Sequence, residues 1–151
     1  MNHLSVFILS CVFLFAIACA TDEEPTPDNS LTKEELLTRQ PWRVSRYSKS
    51  DNSVIANNQL SIQAVIIRGL QFEFRLDGRV FGIDRVTKQV INQGTWRFLP
   101  DNTTLDIQVT GFSGEFVLRS LTRDGLILAT STDGFVTGVG DTILLEFIPV
   151  L

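Results

Sequence analysis

The sequence predicts a small all-β domain, an eight-stranded up-and-down barrel with one short helix at its start. Three observations predict it. Beyond residue 41, apolar and polar residues alternate with a period of two; Gly- and Asp-containing turn signals interrupt that alternation at short intervals; and one capped helical segment precedes it. Closure removes the unpaired edges that eight short strands would otherwise expose, with a two-sheet sandwich as the alternative.

Residues 1–18 read as an export signal. From Leu4 to Ala20 the chain is apolar apart from two serines, long enough for a signal-peptide core and marginal for a spanning helix. The run ends in Ala16-Ile17-Ala18-Cys19, small residues before a cysteine, which resembles the bacterial lipobox, where the thiol is acylated and the chain is cut before it. Lipidation of Cys19 is therefore expected, with an uncleaved anchor or an ordinary signal peptide as alternatives. Residues 19–30 form an acidic tether. Asp22, Glu23 and Glu24 follow the cysteine in a manner similar to the surface-export tag of Bacteroidetes lipoproteins, although a solvated linker also favours acids. Pro25 and Pro27 keep this stretch extended.

Residues 31–151 carry the domain. Thr32 and Glu35 are spaced as a capping box, Leu31, Leu36 and Leu37 give a short helix its apolar face, and Pro41 ends it. Trp42 opens a strand over 42–49. In the next, Phe72, Phe74 and Leu76 oppose Glu73 and Arg75; later, Leu105, Ile107 and Val109 oppose Asp106 and Gln108. The remaining strands are expected near 79–83, 94–99, 115–121, 126–132 and 142–149. Asp77-Gly78, Pro100-Asp101-Asn102 and Asp124-Gly125 supply tight turns. In a meander these three turns share one end with the helix and the tether. The connections near 51–69, 84–93, 110–114 and 133–140 share the other, and this loop-rich end is the expected mouth.

Composition narrows the chemistry. Hydrophobic residues make up 44% and charged residues 20%, as in a globular protein, and about 120 residues can bury roughly two-thirds of their unfolded surface. Both cysteines and the single histidine and methionine lie within the first 19 positions. The domain thus lacks the groups that build Ser-His-Asp triads, Cys-His pairs, zinc sites and disulfides, so no catalytic residue, metal or cofactor is expected. Four of the 17 acidic residues precede residue 31, so the remaining 13 balance the 13 Lys and Arg. A neutral domain without a basic stripe is not expected to bind nucleic acid. Glu73, Asp77, Asp84, Asp106 and Glu115 offer carboxylate pairs for glycoside hydrolysis, yet Glu73 and Asp106 occupy solvent-facing strand positions, and the chain is read as non-enzymatic.

A helix, then Trp42-Arg43-Val44, then Phe72-Glu73-Phe74 running into Asp77-Gly78, then Gly94-Thr95-Trp96, resembles the lipocalin-like domains of Bacteroidetes lipoproteins over most of residues 31–151. The resemblance implies an eight-stranded barrel able to hold a small apolar ligand, and no catalytic motif; the lipoprotein reading carries the expectation of an outer-membrane location, periplasmic or surface-exposed.

Two groups of residues are candidate ligand contacts. Phe112, Phe135 and Val136 fall in Gly-rich loops at the expected mouth, where they either meet a partner or fold inward as a lid. Arg119 shares a strand face with Val117 and Leu121, and Glu146 one with Leu144 and Ile148. Each is either a polar anchor for a ligand head group in the lumen or half of an outward pair on a mixed surface. Two functions follow: a lipid-anchored binding protein holding a small apolar or amphipathic ligand, or an envelope interaction module with a solid barrel.

Overall fold

The fold is known from a computed structural model, which describes residues 31–132, 135 and 142–150. The leader, the tether and Cys19 lie outside that range, as does Val136. Eight strands pair in sequence order and close into an antiparallel barrel: β1 (Trp42–Lys49), β2 (Leu70–Phe74), β3 (Arg79–Asp84), β4 (Val90–Phe98), β5 (Thr104–Val109), β6 (Phe112–Leu121), β7 (Leu126–Ser131) and β8 (Thr142–Pro149). Among the described residues two short α-helices are added, α1 (Lys33–Thr38) before β1 and α2 (Ile62–Arg68) between β1 and β2, the latter preceded by one 3-10 turn, Asn57–Gln59. Every described core side chain lies between Leu37 and Phe147, inside the ring that the eight strands close.

α1 forms where the capping box places it. The Thr32 hydroxyl accepts from the Glu35 amide at 3.1 Å, and the Glu35 carboxylate accepts from the Thr32 amide at 2.8 Å. At the other terminus the Trp42 indole donates to the Leu37 carbonyl at 2.8 Å, satisfying a group that the ended helix leaves without a partner. Lys33 donates to the Asn102 carbonyl and Gln40 to the Arg123 carbonyl. The helix is thereby tied to the β4–β5 and β6–β7 turns and closes the tight-turn end, as the meander requires.

Register shifts adjust which residues face inward. The β1–β8 register shifts between Val44 and Arg46, so Val44 and Tyr47, three apart, both point into the core. A second shift, between Leu118 and Ser120 in β6, lets Leu118 and Leu121 both pack against it. A third, in the β3–β4 pairing, falls between Gly82 and Ile83, both buried. β8 alternates strictly, with Ile143, Leu145 and Phe147 buried.

Three boundaries differ from the sequence expectation. β2 begins at Leu70 and ends at Phe74, because the turn through Asp77 and Gly78 starts early: the Gly78 amide donates to the Arg75 carbonyl at 3.0 Å, with Gly78 at φ +79°. Leu76 consequently sits in the turn, largely exposed, rather than on the inward face. β4 begins at Val90 and β6 at Phe112, each through a glycine-containing stretch. Gly94 belongs inside β4 because a Cβ there would stand 1.8 Å from the Gln108 carbonyl oxygen of β5.

The β4–β5 turn is set by Asp101, whose carboxylate accepts from the hydroxyls and amides of Thr103 and Thr104 at 2.7 to 3.1 Å. These bonds, led by the Thr103 hydroxyl, hold its pKa down to about 2. A depressed folded-state pKa stabilises the fold above the unfolded value near 3.8, and the contribution is lost as pH falls through about 2. Asp101→Asn is therefore expected to lower the melting temperature at neutral pH, with the gap to wild type closing between these two pH values. A gap independent of pH in thermal melts would show that the carboxylate charge is not what sets the turn.

Candidate functional site

Aromatic rings pack against one another inside the barrel. Near the tight-turn end, Trp96 lies edge-on to Phe74 and Phe98 at centroid distances of 5.8 and 5.9 Å, and its indole donates to the Arg75 carbonyl at 2.9 Å. Nearer the other end, Phe112 is surrounded by Phe72 and Phe116 at 4.8 Å and by Phe135 and Phe147 at 6.4 Å. Phe72, Phe112, Phe116 and Phe147 are essentially inaccessible to solvent.

Phe112 is thus the first residue of a strand and a core residue rather than a loop residue at a mouth. Phe135 is buried as well, with its ring edge against Phe112 and Phe116, in the position of a lid. Both adopt the inward-folded alternative.

Arg119 and Glu146 are on the outside of the barrel and are not brought together. Arg119 is the extra residue at the β6 bulge, exposed on the wall beside Glu115 and Val117, where they line a shallow outer groove with Thr130 and Thr142. Glu146 shares its strand face with Leu144 and Ile148, as expected, but that face points away from the lumen. Its partner is Arg46, directly opposite on β1, whose Nε donates to it at 2.8 Å, while the buried Ser48 hydroxyl donates at 2.6 Å. With only 17% of the Glu146 side chain exposed, these bonds replace most of its hydration.

The loop-rich end is closed by α2, which lies within the 51–69 connection expected to be loop. β1 and β2 pair only at Trp42↔Phe72 and Arg43↔Gln71; above this the wall parts, and α2 contacts both strands there. Ser61 caps the helix by accepting from the Ala64 amide at 3.1 Å, and Gly69 follows its last residue. Those two signals bracket seven residues of which five are apolar, and both stand in the sequence. Ala64 and Ile67 face the core, and the Tyr47 hydroxyl donates to the Ala64 carbonyl at 2.9 Å. Burial raises the Tyr47 pKa well above the usual phenol value, with Arg68 opposing weakly. The Ser61 amide donates to Phe135, Gln63 to the Gly111 carbonyl, and the Arg85 amide to the Gly69 carbonyl, so α2 is fastened to three further connections.

Its outer face is apolar. Ile62 is 82% exposed, and Val65 and Ile66 are about half exposed. At the tip of the adjoining β3–β4 hairpin Val86 is 89% exposed, and Val90 and Ile91 at the start of β4 are at least half exposed. With Val54, these residues make up most of the large exposed hydrophobic side chains among the described residues, the others being Leu76 and Val117. Arg68 and the exposed Arg85 and Lys88 flank them. This end is the candidate site, a surface rather than a cavity.

Among the described residues no three His, Cys, Asp or Glu side chains are grouped to hold a metal ion, and no helix is long and apolar enough to cross a membrane. Loss of the Glu146 carboxylate leaves the Ser48 hydroxyl buried without its acceptor. Glu146→Ala is therefore expected to cost about 1 to 2 kcal/mol in denaturant unfolding, and Arg119→Ala close to nothing. Equal effects would place both side chains in the same structural role.

No family model and no curated protein matches the chain. Among solved structures, a DUF4847 family protein from Bacteroides vulgatus is similar at 15% identity and a TM-score of 0.48, over 78% of this chain and 96% of that one.

Proposed function

We propose that the protein is a non-enzymatic interaction module of the bacterial envelope, held at the outer membrane by a lipid on Cys19, with a solid barrel that presents its surface to a partner. The observation that carries this reading is the packing of Phe112 against four phenyl rings in the place where a carrier would leave room for a ligand. The other sequence reading, a barrel holding a small apolar molecule, needs that volume empty. Support for the anchor comes from the apolar run ending at Cys19 and the acidic, proline-containing stretch after it, and from the placement of α1 at the end where that stretch enters the domain. The tether then leaves from the tight-turn end, and the α2 end faces the opposite way.

Native mass spectra of residues 31–151, taken before and after denaturation and after exposure to fatty acids, are expected to show the apo mass alone. Phe112→Ala is expected to lose about 3 to 5 kcal/mol of stability and to gain uptake of benzene into the space it opens. A wild-type protein that carries an extra mass which leaves on unfolding is a carrier, and the solid-barrel reading then fails. For the anchor, metabolic labelling of the full chain with a palmitate analogue is expected to be abolished by Cys19→Ala, and equal labelling of both chains would remove the lipid from the account.

A further inference from the structure

We infer that the α2 end is a docking surface for an anionic lipid bilayer, an inference that rests on the solid-barrel reading above and names the partner of its exposed end. The surface is formed by the outward face of α2, Ile62, Val65 and Ile66, and by Val86, Val90 and Ile91 of the β3–β4 hairpin. The two are joined through the bonds from the Arg85 amide and guanidinium to the Gly69 and Arg68 carbonyls, at 3.2 and 3.3 Å.

Charge and shape select the occupant. Of the four arginines found in ion pairs, Arg46, Arg75, Arg79 and Arg97, none belongs to this surface. Arg68, Arg85 and Lys88 form no ion pair with a described carboxylate, and Lys49 at the end of β1 is in the same condition. The two described acids nearby, Asp84 and Asp51, accept hydrogen bonds within their own loops, and Lys88 and Lys49 act on them through space without closing to an ion pair. Asp84 accepts from the Val86 and Thr87 amides at 2.8 and 2.7 Å, and Asp51 from the Ser53 amide and hydroxyl at 2.9 and 2.6 Å. Asp133 and Asp141, in the connection whose Phe135 carbonyl accepts from the Ser61 amide at the start of α2, lie outside the described residues. Cations flanking projecting aliphatic side chains complement a surface of phosphate head groups over hydrocarbon.

Exposure separates a bilayer from a protein partner. Side chains exposed by 82% and 89%, as Ile62 and Val86 are, project from the molecule rather than line a groove. A rigid partner must supply a matched pocket for each projection, whereas a bilayer interface admits aliphatic tips wherever they fall. A tether of residues 19–30, extended at about 3.3 to 3.6 Å per residue, spans roughly 40 Å, longer than a strand of β1's length, so anchor and α2 end can engage one membrane.

The test is co-sedimentation of residues 31–151 with vesicles of phosphatidylethanolamine and phosphatidylglycerol, and separately with vesicles of phosphatidylcholine alone. Binding to the anionic vesicles, weakened by salt and at least about fivefold weaker on the neutral ones, is the expected result. Ile62→Asp with Ile66→Asp is expected to abolish it, Arg85→Glu with Lys88→Glu to weaken it at least about tenfold, and Val117→Asp on the barrel wall to leave it unchanged. Circular dichroism of each variant checks that the barrel is intact. Absence of binding, binding indifferent to lipid charge, or binding that survives the α2 variants overturns the inference. So does a stable dimer in light scattering that Ile62→Asp with Ile66→Asp dissolves, because the occupant is then a second copy. Native mass spectra of protein recovered from the vesicles separate the two readings: a retained lipid molecule defeats the solid barrel, whereas failure to sediment defeats the docking alone.

Discussion

Phe112 touches four other phenyl rings at the centre of the upper barrel, and the remaining architecture is arranged around that contact. Rings from β2, β6 and β8 meet there, so three separate parts of the wall are held at fixed spacing by one cluster. Phe135 lies over it from the β7–β8 connection, and the Phe135 carbonyl accepts from the first capping residue of α2. The closure of the end and the position of α2 are therefore consequences of the same packing. A barrel of eight strands is just wide enough for side chains to pack across it, and the aromatic rings meet inside it at 4.8 to 6.4 Å spacing.

Closure of the wall depends on a second device. β1 is fully paired with β8 but scarcely with β2, which leaves a gap where backbone groups and core side chains would meet water. α2 fills it with Ala64 and Ile67, and Tyr47 fixes the helix by its hydroxyl. The bulge in β1 matters here, because without the register shift after Val44 the Tyr47 ring would face solvent instead of the helix. The local irregularity of one strand and the placement of a helix some fifteen residues later are thus one solution to the same gap.

Much of this was legible in the sequence where the signal is local. The capping box of Thr32 and Glu35, the turns at Asp77-Gly78 and Asp124-Gly125, and the strand from Trp42 to Lys49 depend on neighbours in the chain, and each is found where it was expected. α2 was hidden because its residues, Ile62, Val65, Ile66 and Ile67, are β-branched and apolar on both faces, so neither propensity nor amphipathic period marks a helix. The pairing of Glu146 with Arg46 and Ser48 joins positions about a hundred residues apart, and a single strand pattern cannot state which face is inside. Phe112 was misplaced because the glycines at 111 and 114 suggest a loop; they instead flank a tight turn and the start of a strand.

Folding requires only the inner face of α2. Ala64 and Ile67 close the gap, Ser61 and Gly69 set the ends of the helix, and polar side chains at 62, 65 and 66 would serve the barrel equally well. Solubility favours such polar residues, since exposed aliphatic clusters promote association. The hairpin repeats the same choice with Val86 at its tip, a position where turn chemistry favours polar residues. Neither the core nor the turns account for these side chains, and both stand beside cations that make no ion pair with described carboxylates. The inferred membrane contact would account for an outer face that folding leaves free and that solubility opposes.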